Sequence, residues 1–346
     1  MVIHVLLLLG CAGAIYLACE WFVNGVEWLG VRLSVGPVAV GTILAAAGTA
    51  LPESIVTLVA VLFGSPEQGD DIAVGAAMGG PLVVGTIAYA VTGAMLLLQR
   101  RRRRTAAGLA QGASHPDLST AELRGVDLQR LARDQTWFLA SFIFTVGLGL
   151  VAFAIKPWLG LLFFAVYCVY FFREMRATGE GASSEGLEPL KLQPKRSVPS
   201  TVAVVAQTAG TLLVIFGASQ LFVQQLEWAG PQLGVPAVVV ALLLSPIATE
   251  LPEIMNAIIW VGQGKTELAL ANISGAMMIQ ATVPSGIGIL FTPWLFDSAV
   301  LLAAIATMAS VVYLRWLAGT DRLSAVRLCL AALFYAAFAA GLVITQ

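Results

Sequence analysis

The sequence predicts an all-α integral membrane protein with about ten transmembrane helices in two inverted five-helix repeats. Three observations lead to this fold class. Of the 346 residues, 58% are hydrophobic and only 11% are charged, against about 25% charged residues in an ordinary soluble domain. Apolar runs long enough to cross a bilayer recur along the chain, and an early part of the sequence recurs about 200 positions later. This composition excludes a soluble globular enzyme.

The predicted helices are apolar runs of about 20 residues, the length that spans the hydrocarbon core of a bilayer. No Lys or Arg precedes the first run, as a signal peptide would require, so we expect a retained transmembrane helix. Polar stretches at 100–135 and 174–198 separate helices 3 and 4 and helices 5 and 6. The ten runs lie at residues 2–30, 36–63, 72–99, 136–155, 157–173, 200–229, 236–262, 267–292, 295–315 and 324–344.

Positive charge predicts the orientation of the chain. If loop 100–135 is cytoplasmic, all 19 Lys and Arg residues except Lys156 fall on one side of the membrane, as the positive-inside rule requires. We therefore expect both termini outside and the arginine-rich loop inside, in a bacterial inner (plasma) membrane. The formal net charge of −1 gives no basic surplus for nucleic-acid binding. The expected partners are the lipid bilayer and small cations.

An internal repeat divides the chain into two halves. A shift of 200 positions aligns residues 15–53 with 215–253 at 16 of 39 positions, including the Leu-Pro-Glu triplets that end in Glu53 and Glu253. Because each half contains five helices, an odd number, the second half must insert with the opposite orientation. Inverted repeats of this kind are typical of secondary transporters. The predicted units are a first repeat at 1–173, a cytoplasmic linker at 174–198 and a second repeat at 199–346.

Three carboxylates lie inside predicted helices 2 and 7, where a charge costs about 3 kcal/mol or more and therefore points to a function. Glu53 and Glu253 each follow a proline, and Glu250 lies one turn before Glu253. Proline removes a backbone donor and frees carbonyl oxygens. Together with the hydroxyls of Thr49 and Thr249, these groups offer the oxygen ligands of a hard cation. The alternative is a buried helix kink whose carboxylate is protonated or caps a helix start.

Polar amides in predicted helix 8 extend this candidate site. Asn272 and Gln280 are eight residues apart and so lie roughly on one face of the helix. They either complete an oxygen cage or bond neighbouring helices, and the sequence leaves both interpretations open. Asn256, one turn beyond Glu253, is a further candidate. Glu27, which precedes a tryptophan, falls at a predicted helix end, where tryptophan belts and snorkelled charges are ordinary.

Other chemistries find little support in the sequence. The four cysteines lie in apolar runs without a CxxC pair, and neither of the two histidines lies near the acids, so we expect no zinc site, haem or other cofactor. No His-Glu-x-x-His or Gly-x-Ser-x-Gly motif is present, and such motifs mark metalloproteases and serine hydrolases. We therefore expect that the protein is not an enzyme.

At these residues the sequence resembles the sodium/calcium exchanger membrane-domain family, which belongs to the cation/calcium exchanger superfamily. Within this family it looks like a divergent prokaryotic-type sodium:calcium antiporter. Residues 48–53 and 248–253 look like the family's Gly-Thr-Ser-Leu-Pro-Glu motif, and the resemblance covers nearly the whole chain. It implies that Glu53 and Glu253 are the central calcium ligands, shared with sodium. It also implies that the threonine of each motif adds an oxygen.

The chain departs from the family motifs at several ligand positions. The serine of the first motif is Ala50 in one half and Glu250 in the other. The second motif, Gly-Asn-x-x-Gly-Ser-Asn, is reduced to GAAMGGP at 75–81 in the first half, and a later Asn or Asp position is occupied by Val84 and Gln280. One half has therefore lost polar ligands while the other has gained a carboxylate.

We expect a secondary active cation antiporter in which Ca²⁺ exchanges for Na⁺ by alternating access at Glu53, Glu250 and Glu253. Competition of the two ions for one set of carboxylates would couple their fluxes. Exchange of Ca²⁺ or another cation for H⁺ is the alternative, since crowded carboxylates favour proton uptake. A non-transporting relative with a degenerate site is a third interpretation, supported by the thinned first repeat.

Overall fold

In the computed structural model, the described residues are 2–36, 39–63, 69–106, 123, 125–177, 187–232, 246 and 249–345. This part of the chain is helical and contains no β-strand. A π-helical turn joins α3 and α4 into one rod, and α11 is followed closely by α12. The helices are α1 (Val2–Leu33), α2 (Ala46–Phe63), α3 (Gly69–Val83), α4 (Tyr89–Ala106), α5 (Leu128–Gly149), α6 (Gly160–Ala177), α7 (Thr201–Gln232), α8 (Leu251–Gly262), α9 (Thr266–Phe291), α10 (Ser298–Gly319), α11 (Ala325–Cys329) and α12 (Ala332–Thr345).

Within the described ranges, seven helical segments are long and apolar enough to cross a membrane. The predicted span at 136–155 has the wrong bounds, because α5 begins at Leu128 in a polar segment and ends at Gly149. Residues 233–245, which open the predicted span at 236–262, lie outside the described part. The seven segments are 3–33, 73–102, 156–176, 201–218, 266–291, 298–319 and 325–344.

The two copies of Leu-Pro-Glu stand at different points in their helices. In the first half, α2 continues through the triplet, and the irregularity lies earlier, in a π-helical turn at Val40–Ala45. In the second half, α8 begins at Leu251 with Pro252 in its first turn, where the missing N–H is not needed. The expectation that proline interrupts both helices is therefore wrong for α2.

The central helix of the fold is α9. Nearly all of its residues are buried, and it contacts α2, α3, α5, α6 and α8. Small residues permit these contacts: a Cβ added at Gly275 would lie 2.2 Å from the carbonyl oxygen of Thr42, and one added at Gly160 would lie 2.5 Å from that of Gly286. Most polar side chains on this helix are therefore held away from solvent.

Equivalent glycines interlock the two halves. Gly79 on α3 and Gly275 on α9 correspond to each other in the internal repeat. A Cβ on Gly79 would lie 2.9 Å from Cγ of Pro246, shortly before α8, and Gly275 packs against Thr42, shortly before α2. In each half, a glycine thus packs against the segment that precedes the Leu-Pro-Glu helix of the other half. Such reciprocal contacts are expected of two inverted repeats.

The first helix of each half is unusually long, and these two helices pack antiparallel. Both α1 and α7 have 32 residues, or about 48 Å at 1.5 Å per residue. At one end the ring of His4 stacks on Trp228 with centroids 3.5 Å apart. Towards the other end the Gln207 amide donates to the Trp21 carbonyl and to Asn24 Oδ1, both at 2.9 Å.

The segment 187–199, which we call the linking strap, lies along both long helices. Asn24 on α1 accepts from the backbone N–H of Lys191 at 3.1 Å and donates to two carbonyl groups of the strap. Gln207 on α7 accepts from the backbone N–H of Leu192 at 2.7 Å. The connection between the halves is therefore bonded to the first helix of each.

A buried ion pair connects α1 to the start of α9. Glu27 is 7% exposed, and its carboxylate accepts from Lys265 Nζ at 2.6 Å and from Trp260 Nε1 at 2.9 Å. The expectation that Glu27 is a solvated charge at a helix end is wrong, because the residue faces the turn between α8 and α9. Charge-assisted hydrogen bonds offset the cost of removing this carboxylate from water.

Lys156 is also buried rather than solvated. Its Nζ donates to the carbonyl groups of Val151, Pro293 and Trp294 at 2.6, 2.8 and 2.9 Å. The ammonium group has three donors, and these bonds use all of them. The side chain thereby joins the turn between α5 and α6 to the turn between α9 and α10.

We predict that Lys265→Met lowers the free energy of unfolding by about 2 kcal/mol, because it leaves the Glu27 carboxylate buried and short of donors. Thermal unfolding in detergent measures the change. Lys191→Met is the matched control: it removes the ion pair with Glu20, whose side chain is 37% exposed, and such pairs contribute less than about 1 kcal/mol. Equal effects of the two variants would contradict the assigned role of the buried pair.

Candidate functional site

Several of the residues predicted from the sequence come together where α2, α3, α8 and α9 pack against each other. Thr49 comes from α2, Glu250 and Glu253 stand at the start of α8, and Asn272 and Gln280 come from α9. All five are at most 1% exposed. Side chains separated by more than 200 residues in sequence thus share one buried region.

The α2 side of the site is defined by Thr49. Its hydroxyl donates to the Ala45 carbonyl at 3.1 Å, and the side chain lies near the Glu253 carboxyl group. Glu53 follows one turn later on α2, and its side chain falls outside the described residues. The backbone of α2 therefore brings Glu53 to the same side of the helix as Thr49.

Thr249 lies next to the buried set and is partly exposed. Its hydroxyl donates to the Pro246 carbonyl at 3.1 Å. In both halves the motif threonine is thus bonded to the preceding turn, a common use of this side chain. Its oxygen keeps acceptor capacity after donating the proton.

Local sequence positions the two described carboxylates. Proline is favoured in the first turn of a helix, so α8 starts at Leu251 and places Glu253 in that turn. Glu250 is the residue immediately before the helix. The N-terminal end of a helix carries a partial positive charge that favours nearby carboxylates. The sequence therefore concentrates negative charge at a helix start inside the core.

Glu250 and Gln280 form a pair that rests on Gly80 of α3. The Gln280 Nε2 donates to Glu250 Oε2 at 2.8 Å. A Cβ added at Gly80 would lie 2.7 Å from Glu250 Oε1 and 3.1 Å from Gln280 Nε2. The carboxyl and amide groups therefore occupy the space that a side chain at position 80 would take.

Many polar atoms of the site have no hydrogen-bond partner within the described part of the chain. The oxygens among them are both carboxylate oxygens of Glu253, Oε1 of Glu250, the Oδ1 atoms of Asn256 and Asn272, and Oε1 of Gln280. A buried polar group without a partner costs about 1–3 kcal/mol. Such a set fits a ligand that supplies the missing interactions, and oxygen ligands suit a hard cation.

Two carboxyl groups and several neutral amides make up the described part of the site. Among the described residues, no three His, Cys, Asp or Glu side chains are close enough to hold a metal ion. Glu250 and Glu253 are complemented by neutral amides, which bind a cation less strongly than carboxylates. An ion that must also leave its site needs such intermediate binding.

Two residues, Asn256 and Gly80, are more prominent at the site in the structure than the sequence indicated. Asn256 is wholly buried, and both of its amide atoms lack a partner in the described part. Its spacing of one turn from Glu253 was the signal that could identify it. Gly80 has no comparable signal, because its importance comes from contact with groups on α8 and α9.

The matching family profile is described as sodium/calcium exchanger protein, and it covers residues 3–175 and 203–344. These stretches make up most of the chain and include both Leu-Pro-Glu segments. The chain belongs to the sodium/calcium exchanger family. The resemblance inferred from the motifs is thus confirmed. An exchanger is a transporter, and the expectation that the protein is not an enzyme is confirmed with it.

Individual relatives agree with this family. The chain is 25% identical over 285 residues to CaxA of Alkalimonas amylolytica, which is named as an antiporter, and the match covers 82% of this chain and 79% of CaxA. Solved structures of the sodium-calcium exchanger NCX_Mj are similar in fold. The one soaked with 2.5 mM Na⁺ and 0.1 mM Ca²⁺ has a TM-score of 0.71 at 17% identity and covers 97% of each chain.

A second NCX_Mj structure, soaked with zero Na⁺ and Ca²⁺, has a TM-score of 0.70 at 17% identity. It covers 99% of this chain and 100% of that chain. The similarity therefore extends over both halves. The predicted fold class, an all-α multi-pass membrane protein of inverted repeats, is confirmed for this member of the exchanger family.

We predict that Asn256→Leu raises the thermal stability of the cation-free protein and lowers its cation affinity about tenfold. Removing a buried amide without partners removes a cost of about 1–3 kcal/mol, whereas the lost oxygen weakens cation binding. Unfolding in detergent and calorimetric Ca²⁺ titration measure the two effects.

Asn24→Leu is the control for Asn256→Leu. The Asn24 amide is bonded through both of its polar atoms, so we expect this substitution to lower stability. If Asn256→Leu lowered stability to the same extent, Asn256 would be a structural residue and its assignment to the site would be wrong.

Proposed function

We propose that the protein is a secondary active cation antiporter that exchanges Ca²⁺ for Na⁺ by alternating access. Membership of the exchanger family supports transport of small cations across the bilayer. The observation that carries the proposal is the group of buried oxygens without partners in the described part of the chain, gathered from α8 and α9. An oxygen-lined region inside a helical membrane protein suits an ion that has shed its water.

In this proposal the cation binds to Glu53, Glu250 and Glu253 near the middle of the membrane. Further oxygens come from the hydroxyl groups of the two motif threonines and the side-chain amides of α9, namely Thr49, Thr249, Asn272 and Gln280. Ca²⁺ takes six to eight oxygen ligands, and carboxylates and amides together supply that number. No cofactor takes part, since Ca²⁺ and Na⁺ are the cargo.

Competition for the same carboxylates couples the two fluxes. Two neighbouring carboxylates inside the core repel each other when both are ionised, and bound positive charge removes that repulsion. A site neutralised by Na⁺ has little attraction left for Ca²⁺, so one ion must leave before the other binds. The empty, ionised site is the least stable state within the membrane, which disfavours return without cargo.

Exchange of Ca²⁺ for H⁺ is the second candidate. It is favoured by the proximity of Glu250 to Glu253, which interact electrostatically while both are wholly buried. Protons could neutralise this pair in place of Na⁺. The two candidates use the same residues and differ in the ion that drives Ca²⁺ movement.

We further propose the orientation that the positive-inside rule predicts. Both termini lie outside, and the arginine-rich loop 100–135 lies in the cytoplasm of a bacterial inner (plasma) membrane. Under this orientation the linking strap and the Glu27–Lys265 pair belong to the cytoplasmic half of the protein.

We predict that Glu253→Gln lowers Na⁺-driven Ca²⁺ uptake into proteoliposomes about 10- to 100-fold, because a charge-assisted ligand contributes about 1.5–3 kcal/mol. Radioactive Ca²⁺ uptake is measured with an imposed Na⁺ gradient and, separately, with a pH gradient. Glu20→Gln is the control, since Glu20 pairs with Lys191 on the strap and should leave uptake unchanged.

Each outcome of this experiment selects one interpretation. Uptake driven only by the pH gradient would replace Na⁺ by H⁺ as the coupling ion. Unchanged uptake in Glu253→Gln would refute the site. Absence of uptake by the wild-type protein under both gradients would refute Ca²⁺ antiport and favour a non-transporting relative.

A further inference from the structure

Gly80 has no side chain of its own, yet it touches the most heavily charged part of the proposed site. It lies on α3, and an added Cβ would stand 2.7 Å from Oε1 of Glu250. The same atom would stand 3.1 Å from Nε2 and 3.2 Å from Cδ of Gln280. Separations below 3 Å are too short for a carbon–oxygen contact. Glycine at position 80 therefore leaves room for the Glu250 carboxyl group in the position that it occupies.

Conformation accounts for only part of the need for this glycine. It lies inside α3 immediately before Pro81, and the proline ring crowds the Cβ of a preceding residue in a helical backbone. The described residues with a left-handed backbone do not include it. Space for a neighbouring group is a second and independent reason to have glycine at position 80, and that neighbour is the carboxyl group of Glu250.

The size changes at positions 80 and 250 are complementary. In the motifs that the sequence resembles, both positions are serine. Here one has lost its side chain and the other has become glutamate. The two residues come from opposite halves of the chain, and the structure brings them into contact. The larger side chain enters the space that the smaller one vacates.

We infer that Gly80 is a specificity-determining residue: by leaving room for the Glu250–Gln280 pair, it decides how many carboxylates the site offers to a cation. This inference rests on the proposed function. With Glu250 held beside Glu253, the site offers a cation one more carboxyl group, which favours a divalent cation over Na⁺. With a side chain at position 80, the Glu250 carboxyl group must move away from the Gln280 amide.

The direct test is Gly80→Ala, whose new methyl group displaces Glu250 Oε1. That oxygen is the end of a flexible side chain, so α3 and α8 can keep their positions. Gly75→Ala is the matched control on the same helix, because a Cβ there meets nothing within 4 Å. We expect Gly80→Ala to reduce Ca²⁺ affinity about tenfold relative to Na⁺ affinity, and Gly75→Ala to leave this ratio unchanged.

A double-mutant cycle tests whether the effect of Gly80→Ala on cation affinity depends on Glu250. Calorimetric titration with CaCl₂ and with NaCl is performed on the wild type, Gly80→Ala, Glu250→Ala and the double variant. In the absence of the Glu250 carboxyl group, Gly80→Ala should change neither affinity, because the methyl group then has nothing to displace. Additive effects of the two substitutions would overturn the inference, as would equal effects of Gly80→Ala and Gly75→Ala.

Thermal unfolding of the same four proteins in cation-free detergent separates this inference from the proposed function. The contact between positions 80 and 250 predicts coupled changes in the unfolding midpoint even without an ion. If the wild type binds neither Ca²⁺ nor Na⁺, the proposed function and the specificity role both fail, whatever the coupling. If the wild type binds Ca²⁺ and the two substitutions have additive effects on the unfolding midpoint and on the affinities, only the role of Gly80 is refuted.

Discussion

Most polar side chains on α9 are buried, and this constraint governs the packing around them. Asn272 and Gln280 are wholly or almost wholly buried, so their partners must come from neighbouring helices or from a ligand. Glycines bring those helices close enough: Gly275 admits the backbone before α2, and Gly80 admits the carboxyl group of Glu250. The same closeness leaves several oxygens facing one another without donors in the described part of the chain.

The two halves pack in the same way but offer different side chains at the candidate site. Gly79 and Gly275 perform equivalent roles, each against a segment of the other half. The proposed ligand positions, in contrast, differ between the halves, since the second half supplies Glu250, Asn272 and Gln280 while the corresponding part of the first half is small and apolar. Symmetry in the backbone therefore supports an asymmetric site. Loss of side chains on α3 is part of how that site accommodates its extra carboxylate.

Much of the fold could be predicted from the sequence because bilayer-spanning helices are local features and the repeat is visible as identical residues. Most residues of the candidate site could also be proposed from the sequence, since a carboxylate such as Glu253 or an amide such as Asn272 is conspicuous in an apolar helix. Contacts between distant parts of the chain could not be predicted. The pairing of Glu27 with Lys265 joins residues 238 positions apart, and no periodicity encodes it.

The linking strap has a mechanical consequence. Asn24 on α1 and Gln207 on α7 are bonded to each other and to successive residues of the strap. Hydrogen bonds weaken steeply once donor and acceptor separate beyond about 3.2 Å, so even a slip of one residue's rise, about 1.5 Å, would break this set. These hydrogen bonds connect α1, α7 and the strap, so sliding one leading helix along the other would break bonds to both.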